Sequence, residues 1–389
     1  MRVCLLPSDT WGVGSYRTLF PGRELEKRGH EVFAHLDRDY LARWNPREGN
    51  APLANALDFE PGGKVSRTFD ADTYVFQRRM EQTAGAAIRL LRAQGKYTVY
   101  ELDDNYDCLP ESSPGQKVLR RHGNRLRVEW MNDALKWADV VTVSTPALAD
   151  WYSQYNDTIA VLPNYLDWEM WRDVQPQFDV ERPRIRVGWM GWLEWRGSDL
   201  ERLRPWLRDW LLQHPSVDFV SIGERHGNAK RLRREGYVSV HDYLGVPKEQ
   251  RASVKAAPFQ DLPKITATID IGLVPLEATD FNECKSYLKG LEYAACGIPC
   301  VASPSQQYRE FVREGVDGFL AAGPEEWMGR LDELVGDDDL RRQMGRSAHE
   351  KARSLTIQKN WRQWETVWSG STSEAAPTAS LVGLTSTTA

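Results

Sequence analysis

The stretch Ile269–Ser303 reads IDIGLVPLEATDFNECKSYLKGLEYAACGIPCVAS. It opens with an apolar run of strand length, 269–276, and closes with a second, 299–303. Between them Asn282 can cap a helix and Gly297 can end it. Leu288, Leu291 and Ala295 fall on one apolar stripe, and Lys285, Lys289 and Glu292 on a polar one. Strand–helix–strand with continuous apolar strands is a βαβ unit of a buried parallel sheet. Ligands of such sheets bind at the carboxyl ends of the strands, where helix N-termini also point. Asn282, Lys285 and Ser286 therefore stand where an anion would sit, and Glu292 one turn later suits sugar hydroxyls. The spacing fits a phosphate–ribose site; it also fits a solvated helix face with an i, i+3 ion pair.

The rest of the chain repeats this pattern. At its start, Arg2–Pro7 reads as a strand, followed by a loop with Gly12 and Gly14, a helix ending near Gly29, and a strand over 30–36. That order is a phosphate cradle or an ordinary βα turn. Residues 37–70 read as irregular. Strands follow at 73–77 and 97–102, with a helix over 82–94 between them. The second strand ends in Asp103 and Asp104, at the ligand-facing edge. Those carboxylates could act as base, orient an acceptor hydroxyl, hold a metal, or merely cap a turn. Residues 116–138 read as helix with a break at Gly123-Asn124, and 117–127 is strongly basic. Strands at 139–145 and 159–163 flank a helix start at 146–152.

The polar segment 173–183 reads as a linker. A second alternating series then begins with a strand at 184–190, a tight turn at Gly191, and a long helix to His214 capped by Ser198 or Asp199. Short strands are expected at 217–222 and 238–241 before the opening stretch, then a helix over 306–314, a strand at 319–322 and helices to Trp368. The expected division is an N-terminal acceptor-side domain over 1–172, the linker, a nucleotide-sugar domain over 184–355, a helix crossing back over 356–369, and a Ser/Thr-rich tail over 370–389 that cannot bury a core. The fold class is α/β, two Rossmann-like domains facing a cleft.

Composition bounds the function. With 389 residues, 41% apolar content and a formal charge of −5, the chain can build real cores but carries no global basic field. Its five cysteines form no CxxC pair, which suits a reducing cytoplasm rather than a disulfide frame or zinc site. No run has the length of a membrane span, and neither a signal peptide nor an anchor is expected.

Taken together, VGSYRTLFPGRELEKRGHEV, ADVVTVSTPALADW, VLPNYLDW, VGWMGWLEWRGSDL and FNECKSYLKGLEYAACGIPCVAS resemble GT-B glycosyltransferases of family 4, across residues 1–368. The resemblance implies a nucleotide-sugar donor, UDP- or GDP-linked, held mainly by the C-terminal domain. It implies that Glu292 binds the ribose, and that Asn282, Lys285, Ser286 and Lys289 lie at the diphosphate and sugar. It further implies that Gly12 and Gly14 approach the donor phosphates, and that Gly191 and Trp192 lie in the cleft. Retention at the anomeric carbon by front-side attack is implied, so no protein nucleophile is needed. Lys285 and Lys289 would stabilise the leaving diphosphate and remove the need for a metal, while Asp103 and Asp104 would contact the acceptor or admit a divalent ion. Two departures stand out. The family's E-x7-E motif would put a glutamate at 284, where this chain has Cys284 within N-x-x-K-S-x-x-K-x-x-E. No counterpart of the family's catalytic histidine is found.

The acceptor stays open: a glycan, a lipid-linked or protein acceptor, or a modified nucleobase. The basic segment 117–127 suits an anionic one, or peripheral contact with membrane or DNA. An epimerase on the same fold and a non-catalytic binding protein are the rival classes. Among Trp189, Trp192 and Trp195, a stacking platform is one reading and core packing the other.

Overall fold

The computed structural model describes residues 1–34, 59–60, 64–65, 70–111, 113–119, 126–224 and 236–371. Two six-stranded parallel sheets dominate it. The first contains β1 (Arg2–Leu6), β2 (Glu31–Ala34), β3 (Thr73–Gln77), β4 (Tyr97–Leu102), β5 (Val140–Val143) and β6 (Ile159–Val161), in the order β2-β1-β3-β4-β5-β6. The second contains β7 (Ile185–Met190), β8 (Val217–Glu224), β9 (Arg251–Lys255), β10 (Ile271–Val274), β11 (Cys300–Ala302) and β12 (Gly318–Leu320), in the order β9-β8-β7-β10-β11-β12. Parallel strands covered by helices on both faces must be apolar throughout, and β3, β5, β10 and β11 are buried at every residue.

Each sheet changes direction once. The strand order reverses between β1 and β3 in the first and between β7 and β10 in the second. Connections leaving a reversal point run to opposite sides, and the crevice they open at the carboxyl ends is where ligands settle. In the second sheet the approach of the next helix is set by Gly272 on β10. A Cβ there would lie 2.4 Å from the Tyr293 ring, so only glycine lets helix Leu288–Ala295 pack this closely. The Tyr293 hydroxyl in turn accepts from Met190 N at 3.2 Å, tying that helix to the end of β7.

The last helices rest on the first sheet. Thr73 Oγ1 donates to the Trp368 carbonyl at 2.6 Å, and Ile357 N to the Leu166 carbonyl at 2.8 Å. Trp364 and Trp368 are fully enclosed there. Burying one indole removes about 200 Å² from water, worth roughly 5 kcal/mol at about 25 cal/mol per Å².

Several local expectations are corrected. The helix expected from Asn282 is two helices, Asp280–Glu283 and Leu288–Ala295. Thr279, not Asn282, caps the first, its hydroxyl accepting from Asn282 N at 3.3 Å. Cys284, Lys285 and Ser286 between them bond across to the other half, as described below. The long helix expected up to His214 is likewise split into Leu193–Leu200 and Leu207–Gln213, and Asp199 lies inside the first rather than at its cap. Residues 240–244 are helical, capped by Ser239, and the edge strand is Arg251–Lys255, whose residues alternate exposed and half-buried. Gly12–Gly14 forms the first helical turn rather than a loop, and runs on through a π-helical turn, Ser15–Leu19, into helix Phe20–Lys27. Most of the irregular segment 37–70, and residues 372–389 of the tail, lie outside the described residues. No described helix is long and apolar enough to cross a membrane.

Candidate active site

The reversal point of the second sheet opens into a cleft of about 490 Å³ that also takes in the carboxyl ends of β3 and β4. Its second-sheet wall is built from two segments. The turn and helix after β7 bring Gly191, Trp192, Arg196 and Asp199; the two short helices after β10 and the turn between them bring Asn282, Lys285 and Lys289. Arg196 has non-helical backbone angles, φ −133° and ψ 15°, which kink helix Leu193–Leu200 at this point. Trp189 is in the core at 4% exposure, whereas Trp192 is 52% exposed and lines the cleft. The Trp195 side chain lies outside the described residues.

The opposite wall carries Arg78 at the end of β3, Asp104 just after β4, and Tyr106 in the turn that follows. Arg78 is the single described non-glycine residue with positive φ, at 50°. Its guanidinium donates to the Tyr106 hydroxyl at 2.8 Å and to Asp9 Oδ2 at 3.3 Å. Helix Pro114–Leu119 adds Gly115 to the rim. Of the basic segment, 120–125 lies outside the described residues.

Three cations of the second wall are each matched to a carboxylate. Lys289 Nζ lies 2.7 Å from Glu292 Oε2, Lys285 Nζ 2.7 Å from Asp104 Oδ1, and Arg196 Nη1 3.8 Å from Asp199 Oδ2. The Lys285 pair spans the two sheets. Burial and repulsion from Arg196 lower the affinity of Lys285 for its proton, against the pull of Asp104. Burial alone would raise Asp104, but the charges of Lys285 and Arg196 outweigh it and hold Asp104 below the usual carboxylate range. The adjacent Asp103 goes the other way: burial and the charge on Asp104 push it up to about 6. Neighbouring carboxyls with pKa values driven apart are suited to distinct proton roles.

The 284–286 segment is bound to the first half residue by residue. Cys284 O accepts from Thr145 Oγ1 at 2.9 Å, and its thiol packs into the first-sheet core beside Asn105 Nδ2 at 3.5 Å. Ser286 Oγ accepts from Asn164 Nδ2 at 2.8 Å. Asn164 Oδ1 accepts in turn from Arg17, which forms a fully buried ion pair with Glu101 at 2.7 Å. Cys284 thus faces the opposing core and does not line the cleft.

Of the residues singled out from sequence, Asp104, Gly191, Trp192, Asn282, Lys285 and Lys289 line one cleft. Gly12, Gly14, Asp103, Ser286 and Glu292 lie outside its lining. Glu292 is 3% exposed and accepts from the Tyr16 hydroxyl at 3.0 Å as well as from Lys289. Burial and the charge of Glu292 raise Tyr16 far above its usual value, so it remains a donor. The i, i+3 ion pair of the plain helix-face reading is therefore present, but its carboxylate is buried. Sequence reasoning missed Arg78, Tyr106, Arg196 and Asp199. Arg78 and Arg196 follow strand ends, and that position is the available signal; Asp199 has the residue type of a helix cap but lies inside the helix. Among the described residues no three His, Cys, Asp or Glu side chains cluster as a metal site would need.

Comparison with known proteins agrees with this architecture. Residues 187–337 match the family model described as glycosyl transferases group 1. No curated protein sequence matches the chain. Among solved structures, sucrose-phosphate synthase from Thermosynechococcus elongatus superposes with a TM-score of 0.63 at 15% identity, over 95% of this chain and 99% of that one. Anabaena HepE in complex with UDP gives 0.59 at 18% identity, over 95% and 100%. A glycosyltransferase from Rickettsia africae gives 0.63 at 12%, over 96% and 99%. The chain has the GT-B fold, and its segment 187–337 matches the model of the group 1 glycosyl transferases.

Proposed function

We propose that this protein transfers a sugar from a nucleoside-diphosphate donor to an acceptor hydroxyl bound in the same cleft. The observation that carries the reading is the convergence of Arg196, Lys285 and Lys289 on one cleft, each against a carboxylate of the chain itself. A diphosphate supplies the anionic charge for which such cations are built. HepE was solved with UDP and with UDP-glucose, which supports a UDP-sugar and a hexosyl group.

In this reading the donor exchanges partners with the protein. The diphosphate draws Lys285 from Asp104 and Lys289 from Glu292, and the ribose hydroxyls take the place of the Lys289 ammonium on Glu292. Cleavage of the sugar–phosphate bond concentrates charge on the leaving diphosphate, where the lysines stabilise it most in the transition state. Asp104, released, accepts a hydrogen bond from the acceptor hydroxyl. That oxygen bonds to the anomeric carbon on the face the diphosphate leaves, and its proton passes to the leaving phosphate oxygen. Retention follows. No carboxylate of the lining is given the role of nucleophile in this route: Asp104 accepts from the acceptor hydroxyl, and Asp199 stands against Arg196.

The test is nucleotide release from a panel of UDP- and GDP-sugars. At least one should be turned over, and Lys285→Ala and Lys289→Ala should each lower that rate about 100-fold while remaining folded. Wild-type rates in both variants would sink the reading.

A further inference from the structure

Asp199 and Asn282 form a pair in the cleft wall that the charge-exchange scheme does not use. Asp199 is 4% exposed and Asn282 3%. Asp199 Oδ1 accepts twice, from Glu277 N at 3.0 Å and from Asn282 Nδ2 at 2.7 Å. Its other oxygen, Oδ2, has Arg196 at 3.8 Å, beyond a hydrogen bond. The Asn282 amide has one allowed orientation. Its Nδ2 donates to Asp199 and to the Glu277 carbonyl at 2.9 Å, and a flipped amide would set its oxygen against two acceptors. Asn282 Oδ1 is left buried with no partner among the described residues. An orphaned carbonyl thus stands beside a carboxylate oxygen that faces Arg196 from beyond hydrogen-bond distance. The fold retains a costly arrangement in a wall that also carries the phosphate-matching cations.

We propose that Asp199, oriented by Asn282, receives a hydroxyl of the transferred sugar, and that the donor is therefore a nucleotide sugar with a free hydroxyl at that position. The inference rests on the transfer reading above and names the chemistry of its sugar end. The carboxylate comes from the helix that follows β7, and Cys284, turned into the opposite core, takes no part. Asp199 touches the sugar. Asn282 is a positioning residue through its amide hydrogen and a second acceptor through Oδ1. A site made to accept from a hydroxyl rejects the analogue that lacks it, since its acceptors then stay buried and unpaired.

The experiment measures Kd on the full chain for UDP, GDP, their common hexose conjugates, and the four monodeoxy derivatives (2-, 3-, 4- and 6-) of the best-bound conjugate. Wild type should bind one derivative at least about 10-fold more weakly than its parent. In Asp199→Asn and in Asn282→Ala that penalty should shrink to under about 3-fold. Asp199→Asn keeps the shape of the side chain, and its Tm checks the fold. Equal binding of all derivatives by wild type, or an undiminished penalty in both variants, overturns the proposal and leaves the transfer reading intact. Failure of every nucleotide and conjugate to bind overturns the transfer reading itself.

Discussion

The two sheets reverse direction in the same way, yet their reversal points have been put to different uses. In the first sheet the crevice between β1 and β3 is filled by the chain itself. Asp9 Oδ1 accepts from Trp11 N and Gly14 N at 2.9 and 3.1 Å, Gln77 bonds Ser8 N and the Val13 carbonyl at 3.0 and 3.1 Å, and Arg78 closes on Asp9. In the second sheet the crevice between β7 and β10 stays open and collects cations. One topology therefore makes a pocket only where the loops leave it unfilled. The glycines of the first half illustrate the cost of filling it. A Cβ on Gly14 would lie 1.7 Å from the Asp9 carbonyl oxygen, so that glycine is required by backbone packing within the loop.

If the first half is filled for rigidity and the second left open for a ligand, substitutions should separate stability from binding. The largest effect is expected at Arg17. Arg17→Met leaves the buried Glu101 carboxylate unpaired and should cost about 3–5 kcal/mol, read as the urea midpoint. An unchanged midpoint would contradict the structural role of that pair. Next, Lys285→Ala should slow donor turnover about 100-fold in the folded protein, nearly 3 kcal/mol of transition-state stabilisation. Gly14→Ala should lower stability by about 1–3 kcal/mol through overpacking, while the folded fraction binds nucleotide as wild type does. A nucleotide Kd raised more than the stability loss explains would instead place that turn at the ligand. The smallest effect concerns pH. Asp103, raised from 3.8 to about 6, keeps its proton in the fold at pH values where the unfolded chain has lost it. Folding thus takes up a proton in that window, and this group's contribution to stability falls as pH rises from about 4 to 6. Tm measured across that window should decline less steeply in Asp103→Asn, and an identical slope would refute the shift.

What the sequence disclosed follows the range of the interactions concerned. Strand Tyr97–Leu102 and helix Pro146–Tyr152 were legible to the residue, because local apolar patterning and a Thr145 cap decide them. Strand order was legible only in class, through alternation of β and α. The break at 284–287 was not, since the helix is interrupted in favour of partners more than 120 residues away in sequence, Asn164 among them. The cleft was half legible. Lys285 and Lys289 announced themselves by spacing, whereas Arg78 acts through a left-handed backbone that no pattern in the neighbouring residues signals. Asp199 was visible as a residue but misread, because its partner Asn282 stands 83 positions on.

The three consecutive residues Cys284, Lys285 and Ser286 each grip the opposite half, through Thr145, Asp104 and Asn164. Bonds scattered over a wide interface could be peeled away one by one. Bonds on adjacent residues of one short segment give way together. Separation of the halves must break all three, together with the Tyr16–Glu292 hydrogen bond.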